Sequence, residues 1–394
     1  MNTIEQFNEH VMQTYGRIGL VMESGHGQTA VGEDGKEYID FGSGIGTNSL
    51  GYCDEDWVNA ICEQAHKIQH TSNYYYTKVQ ADFAKRLCEA TGYEKMFFGN
   101  SGAEANECAI KLARKYSFDK YGKDAERNII ITLVNSFHGR TLCTLSATGQ
   151  EVFHNYFFPF VGGFENVIAN DIDDLMDKLN KLDNKVCAVM FEFVQGEGGV
   201  IPLQQSFVNA IMLECAKRDI LTIADEVQTG VGRTGKLLTS EIYNVKPDIT
   251  TLAKGLAGGV PIGVCLANKK CSEVLGKGTH GSTFGGNPIS CAGGNAVLDK
   301  VTKPEFLEEV RKKGEYFREK LVQIDEVEGV DGLGLMIGVR LKTKKAADVL
   351  NKCFENGLLI LTAKDKLRFL PPLNISYEQI DKGLAILKKV LDEK

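Results

Sequence analysis

The chain has 394 residues, 43% hydrophobic and 25% charged, with a formal net charge of −7. Such a length supports a sizeable core and more than one domain. The acidic balance argues against nucleic acid or an anionic membrane as a main partner.

No apolar run approaches the ~18 residues of a membrane span. The opening residues, Met1 to Gln6, hold no basic stretch leading into an apolar one, so no secretory leader is expected. Eleven cysteines, an odd number with no Cys-x-x-Cys, include Cys187, Cys215 and Cys265 inside apolar runs. They read as small buried hydrophobes in a reducing compartment, which places the protein in the cytoplasm. Seven scattered histidines show no metal-ligand spacing, and no metal is expected.

In chain order, an amphipathic start precedes a turn at Glu33–Gly35 and a strand through Phe41. Gly42–Gly46 is a loop open to close backbone approach. A helical period returns from Trp57 to about Ile68, and another helix runs through Leu87. Between them, Thr71–Thr77 holds Tyr74, Tyr75 and Tyr76, which cannot share one buried face; surface packing, a pocket rim and an interface remain open. Met96–Phe98 leads into a loop where Ser101 and Glu104 form a capping box. The helix that follows carries Ala105, Cys108, Ala109, Leu112 and Tyr116 on one side. Its start offers free N–H groups and a positive dipole end, suited to a phosphate or to plain capping.

A strand at 128–133 ends in Ser136–Thr141. There Phe137 could stack on a flat ring and Arg140 could fork a carboxylate. A helix near 173–182 and the strand Val186–Phe193 follow. That strand runs into a glycine-rich loop holding Glu197, and a helix spans about Phe207 to Arg218. The strand at Leu221 ends on Asp225; the strand at Ile249 ends on Lys254. Both are short, β-branched and apolar, so both read as buried parallel strands. A lone buried charge costs several kcal/mol, and ligands in open α/β sheets bind at the carboxyl ends of strands. A lysine there can condense with an aldehyde as a Schiff base, and a buried carboxylate can hold a pyridine nitrogen protonated. A structural ion pair is the alternative.

Gly230–Gly235 fits G-x-G-x-x-G after a strand, yet no long apolar helix follows, so it reads as a loop unrelated to a dinucleotide. The strand Ile262–Ala267 and the Gly281–Pro288 loop, with Ser282 and Thr283, come next. From about Asn295 a helical region, interrupted near Pro304, reaches about Ile324. Strands at Leu335–Leu341, Leu358–Leu361 and Lys366–Leu370 alternate with helices at Ala346–Glu355 and Tyr377–Leu391. The strand–helix alternation predicts a mostly parallel sheet covered on both faces, with a smaller α+β unit behind it.

Six motifs, in order, resemble those of the class III (ω-) aminotransferases among the fold-type-I pyridoxal-phosphate enzymes. They are Asn100–Asn106, Phe137–Thr141, Gln195–Gly199, Asp225–Gly230, Leu252–Gly255 and Ser282–Pro288, and the resemblance covers about Met22 to Ser376. It implies an α/β fold with a mostly parallel central sheet sandwiched by helices in a large domain, 51–292. A smaller α+β domain occupies 293–394, and the segment 1–50 packs with it. It implies pyridoxal 5′-phosphate held by Lys254, which also shuttles a proton, with Asp225 on the pyridine nitrogen and Gln228 on the phenolic oxygen. Ser101, Gly102 and Ala103 hold the phosphate, Phe137 stacks on the ring, and His138 and Val227 complete the cofactor set. Thr283 reaches the phosphate of the other subunit of a homodimer, with Ser282 near the substrate.

The same resemblance assigns the substrate groups. Arg368 binds the α-carboxylate of glutamate, Glu197 covers Arg368 when a terminal-amine donor is bound, and Arg140 holds the far carboxylate. Thr71–Asn73 with the tyrosines, and the compact length, are similar to the branch that moves the terminal amino group of N2-acetyl-L-ornithine to 2-oxoglutarate. The products would be N-acetylglutamate 5-semialdehyde and L-glutamate, a step of arginine biosynthesis. Ornithine, succinylornithine and 4-aminobutyrate are the alternative donors. A nicotinamide dehydrogenase, an aminomutase or racemase on the same fold, and a non-enzymatic binding protein are the competing classes.

Overall fold

The computed structural model describes residues 2–393. Its centre is a seven-stranded sheet in the order Lys95–Gly99, Gly263–Ala267, Ile249–Leu252, Leu221–Asp225, Val186–Phe191, Ile129–Leu133 and Phe164–Val167. Six strands run the same way; Gly263–Ala267 is antiparallel to both neighbours. The four strands from Gly263–Ala267 to Val186–Phe191 are wholly buried, which is why they read as unbroken apolar runs.

Alternation along the strands sorts the helices onto two faces. Ala188, Met190, Leu221 and Ile223 pack with Cys108, Ala109 and Leu112 of the helix Gly102–Tyr121. Val189, Phe191 and Ala224 pack with Leu175 and Leu179 of Ile172–Leu182, and with Phe207 and Ile211 of Gln205–Arg218. This is the three-layer α/β sandwich expected from the sequence. The C-terminal part forms an antiparallel sheet in the order Val327–Leu333, Met336–Leu341, Lys366–Phe369, Leu361–Ala363. The helices Pro304–Leu321, Ala346–Glu355 and Tyr377–Asp392 accompany it.

Several details differ from the sequence expectation. The stretch 358–361 is not one strand. Leu358–Leu359 runs parallel to Glu37–Asp40 in a sheet with Met22–His26 and Thr29–Gly32, while Leu361–Ala363 turns into the C-terminal sheet. The helix expected from about Asn295 begins at Pro288, capped by Asn287, whose side chain accepts from Ile289 N at 2.9 Å and Ser290 N at 3.4 Å. Gly293 and Gly294 in its middle mask the helical period. They are there for close packing: a Cβ on Gly294 would stand 2.5 Å from the Phe83 ring. The Ser101–Glu104 capping box is only half made. Ser101 accepts from Glu104 N at 3.1 Å, but Glu104 reaches one residue further back, to Asn100 N at 2.5 Å and Asn100 Nδ2 at 2.8 Å. After Gly230–Gly235 come turns, short 3₁₀ segments and the strands Ile249–Leu252 and Gly263–Ala267; the next α-helix starts at Pro288.

Phe317 ties the chain's first and last parts together. Fully buried, it stacks on Phe369 at 5.5 Å and meets Phe41 edge-on at 5.0 Å. Replacing a buried phenylalanine by alanine removes about 3–5 kcal/mol. Phe317→Ala is therefore expected to lower the thermal midpoint by several degrees in a melting scan; an unchanged midpoint would contradict this packing role.

Candidate active site

The ends of the central strands and the loops after them enclose a cavity of about 460 Å³. Ser101, Gly102, Ala103, Phe137, His138, Arg140, Glu197, Asp225, Val227, Gln228 and Lys254 all line it. The parallel strands Leu221–Asp225 and Ile249–Leu252 lie side by side and deliver the two charges. Asp225 is 4% exposed. Its Oδ2 accepts from Asn106 Nδ2 at 2.8 Å and from His138 Nδ1 at 2.8 Å, and its Oδ1 accepts from Val227 N at 3.1 Å. Three donors hold the carboxylate in one orientation.

Lys254 opens a short 3₁₀ segment, Lys254–Ala257, with φ +43°. A left-handed backbone at a side chain of this kind costs on the order of 1 kcal/mol, a strain typical of working sites. Its amine has no hydrogen-bond or ion-pair partner among the described residues. Burial lowers its pKa to about 8, although Glu197 and Asp225 pull the other way. A neutral amine facing a cavity is a nucleophile.

The anion cradle is the start of the 20-residue helix Gly102–Tyr121. Gly102 is required there, because a Cβ would lie 2.7 Å from Val227 Cγ1. Behind it the antiparallel strand brings Gly263 against Ser101, where a Cβ would stand 2.0 Å from Ser101 O. Phe137 forms a flat wall, braced edge-on by Phe153 at 5.9 Å. Arg140 is exposed, with its guanidinium 3.9 Å from the Phe153 ring centroid and no ion-pair partner among the described residues.

Arg368 does not line the cavity. It is 3% exposed and sits behind Glu197, whose Oε1 accepts from Arg368 Nη1 at 2.6 Å. Gln228 Oε1 is a weaker acceptor for the same nitrogen at 3.5 Å. Burial raises the Glu197 carboxyl, but the Arg368 charge and hydrogen bond outweigh it and hold the pKa below the ordinary value. The Arg368 Nε is buried without a partner. Ser282 stands one step from the cavity; its hydroxyl accepts from Asn100 Nδ2 at 3.0 Å. Thr283 lies elsewhere, in a surface hollow with Tyr74, Phe97 and His280. Tyr74, Tyr75 and Tyr76 are all exposed.

Two groups escaped the sequence reading. Asn106 links Asp225 to the sheet, accepting from Thr251 Oγ1 at 2.7 Å. Glu192 is 6% exposed and lines the cavity. It is a charge at the end of the apolar run 186–191, the same signal that marks Asp225.

The lysine chemistry gives a direct check. Because its folded pKa lies below the ordinary lysine value, the neutral form of Lys254 grows as pH climbs through about 8. Reductive alkylation of the cofactor-free protein, mapped by peptide mass, should be half-maximal at Lys254 near that pH and higher for surface lysines. A Lys254 profile matching the surface lysines would contradict the cavity's effect.

Residues 11–391 match the sequence model of the family Aminotransferase class-III. The chain is 52% identical over 385 residues to an acetylornithine aminotransferase of Haemophilus ducreyi, covering 98% of this chain and 97% of the relative. It is 47% identical to an acetylornithine aminotransferase of Caldanaerobacter subterraneus subsp. tengcongensis, covering 98% of each. Among solved structures, an ornithine aminotransferase of Toxoplasma gondii superposes with a TM-score of 0.93 at 31% identity, covering 98% of this chain and 93% of that one. A second structure of the ornithine aminotransferase from Toxoplasma gondii, crystallized in the presence of oxidized glutathione, reveals partial occupancy of pyridoxal phosphate at its active site. An N-acetylornithine aminotransferase of Stenotrophomonas maltophilia gives 0.85 at 35%, covering 98% of each chain. With an amine, a paired carboxylate and a helix-start cradle converging on one cavity, this chain belongs to the class-III aminotransferases.

Proposed function

We propose that the chain moves the terminal amino group of N2-acetyl-L-ornithine to 2-oxoglutarate, with pyridoxal 5′-phosphate in the cavity described above. The observation that carries the reading is the Glu197–Arg368 pair, made at 2.6 Å beside a cavity whose mouth holds the unpaired Arg140. The named relatives above support the donor.

The residues present fit the cofactor. Lys254 is an unpaired amine, Asp225 an oriented carboxylate, Phe137 a flat wall, and the Gly102 helix start a cradle that a Cβ would fill. Ser101, Gly102 and Ala103 would take the phosphate, His138 and Val227 would steady Asp225, and Gln228 would meet the phenolic oxygen. Bound there, the cofactor supplies an electron sink next to the reacting carbon. Lys254 Nζ would take the proton from that carbon and give it back later in the transfer.

Two substrates use one site in turn. Acetylornithine presents methylene groups where glutamate presents its α-carboxylate. Glu197 neutralises Arg368 in the first case and swings aside in the second; an uncovered Arg368 facing methylenes would be an unpaired buried charge, at a cost on the order of 3–5 kcal/mol. Arg140 takes the far carboxylate of either substrate. Thr283 lies outside its own chain's cavity, which supports a homodimer in which it meets the partner's phosphate, with Ser282 near the substrate. We further propose a large domain over 51–292. A C-terminal small domain covers 293–394 and the segment 1–50 packs with it, a reading supported by the pairing of Ile39 with Leu358. A cytoplasmic location accords with the scattered, unbridged cysteines.

Lys254→Ala should abolish transfer, a loss of at least about a thousandfold, along with the visible absorption of lysine-bound cofactor; retained absorption would remove Lys254 from its role. Glu197→Gln should slow the half-reaction with acetylornithine by roughly tenfold or more while sparing that with glutamate. Equal losses in both would refute the gate. Arg140→Ala should raise KM for both substrates about thirtyfold, equivalent to ~2 kcal/mol of charge-assisted hydrogen bonding. A donor panel of acetylornithine, ornithine, succinylornithine and 4-aminobutyrate tests the substrate; dominance of 4-aminobutyrate would overturn it.

A further inference from the structure

Glu192 follows the strand Val186–Phe191 directly. Because Phe191 pairs with Ala224 on the neighbouring parallel strand, Glu192 stands level with Asp225. Its Oε2 accepts from Phe137 N at 3.0 Å and its Oε1 accepts from Gly196 N at 3.3 Å. One carboxylate therefore joins two loops with different tasks. Phe137 is the flat wall of the cavity, and Gly196 immediately precedes Glu197.

A second tie, Gln195 Nε2 to Val134 O at 2.9 Å, holds the bases of the same loops. Glu192 reaches one residue further, to Gly196, which adjoins Glu197 and whose carbonyl accepts from Gly199 N at 3.4 Å and Val200 N at 3.3 Å. The Gln228 side chain packs close against Gly196, where a Cβ would stand 2.3 Å from Gln228 Oε1. The Glu192 carboxyl group accepts from both N–H groups at once, one on each oxygen. An amide in its place would turn its own NH₂ toward one of them and leave a buried donor unpaired. Burial raises the Glu192 pKa to about 7 and Asp225 adds to that rise, while His138 and the two backbone N–H donors oppose it.

We infer that Glu192 is the positioning residue of the gate: its carboxylate fixes Gly196, and through it holds Glu197 over Arg368, biasing the site toward the terminal-amine donor. This rests on the Glu197 gating proposed above and assigns its anchor. With the anchor weakened, Glu197 leaves Arg368 more readily, and the guanidinium becomes available to an α-carboxylate.

The test uses holoenzyme in four forms: unaltered, Glu192→Gln, Glu192→Asp and Glu197→Gln. Single-turnover rates are measured for acetylornithine and for glutamate. The dissociation constant of glutarate, an unreactive five-carbon dicarboxylate, is measured by spectral titration. Glu192→Gln should lower the acetylornithine rate about tenfold relative to the glutamate rate and tighten glutarate roughly three- to tenfold, as expected when an equilibrium shifts toward the open gate. Glu192→Asp keeps the charge but reaches one donor, so its split should be intermediate; it also stands in should the glutamine variant fail to fold. Equal losses in both half-reactions with unchanged glutarate affinity, while Glu197→Gln still splits them, would overturn the role of Glu192 alone. No split in Glu197→Gln would bring down the gate itself and this inference with it.

Discussion

Asp225 is a carboxylate that the sheet withholds from water, and the site's geometry follows from satisfying it. A buried unpaired anion costs several kcal/mol, so each oxygen must find donors. Those donors come from three separate elements: Asn106 from the helix Gly102–Tyr121, His138 from the loop after Ile129–Leu133, and the backbone of Val227. Asn106 also donates to His138 O at 2.7 Å, so helix and loop are locked to each other as well as to the strand. The close contact of Gly102 with Val227 is the packing counterpart of that lock.

The two arginines divide the electrostatic work. Arg140 stays at the mouth, cushioned on aromatic faces and open to an incoming carboxylate. Arg368 is held inside and neutralised by Glu197. On the gating proposed above, a single cavity is apolar-tolerant or carboxylate-selective without rebuilding its walls; only the Glu197 side chain has to move. Discrimination then depends on how firmly that side chain is kept in place.

The central strands, their order of charges and the helix-start cradle were legible because each is written locally, in unbroken β-branched runs ending on a charge or in a glycine-rich cap. What stayed hidden is non-local. Met22–His26 is largely exposed and polar, and Val327–Leu333 contains two glycines, so neither carries an apolar alternation. The break between Leu359 and Leu361 reflects competition between two sheets, which no local pattern encodes. Asn106 and Glu192 have meaning only beside Asp225, the first 119 residues before it in sequence and the second just past the end of the neighbouring strand. The half-made capping box shows the opposite case, where a short motif was present but Glu104 found a better partner in Asn100.

The parallel ladder between Glu37–Asp40 and Leu358–Leu359 also sets a timetable. Lys36 Nζ donates to Glu355 O at 2.8 Å across 319 positions of chain. At translation rates of ~5–20 residues per second, the early strand waits on the order of tens of seconds for its mate. Arg368, later still, arrives after Asp225 and Lys254 have long emerged. On the proposed reading, the nascent polypeptide gains the residues of its chemical centre first and its means of discrimination last, an order that a series of stalled ribosomes would expose.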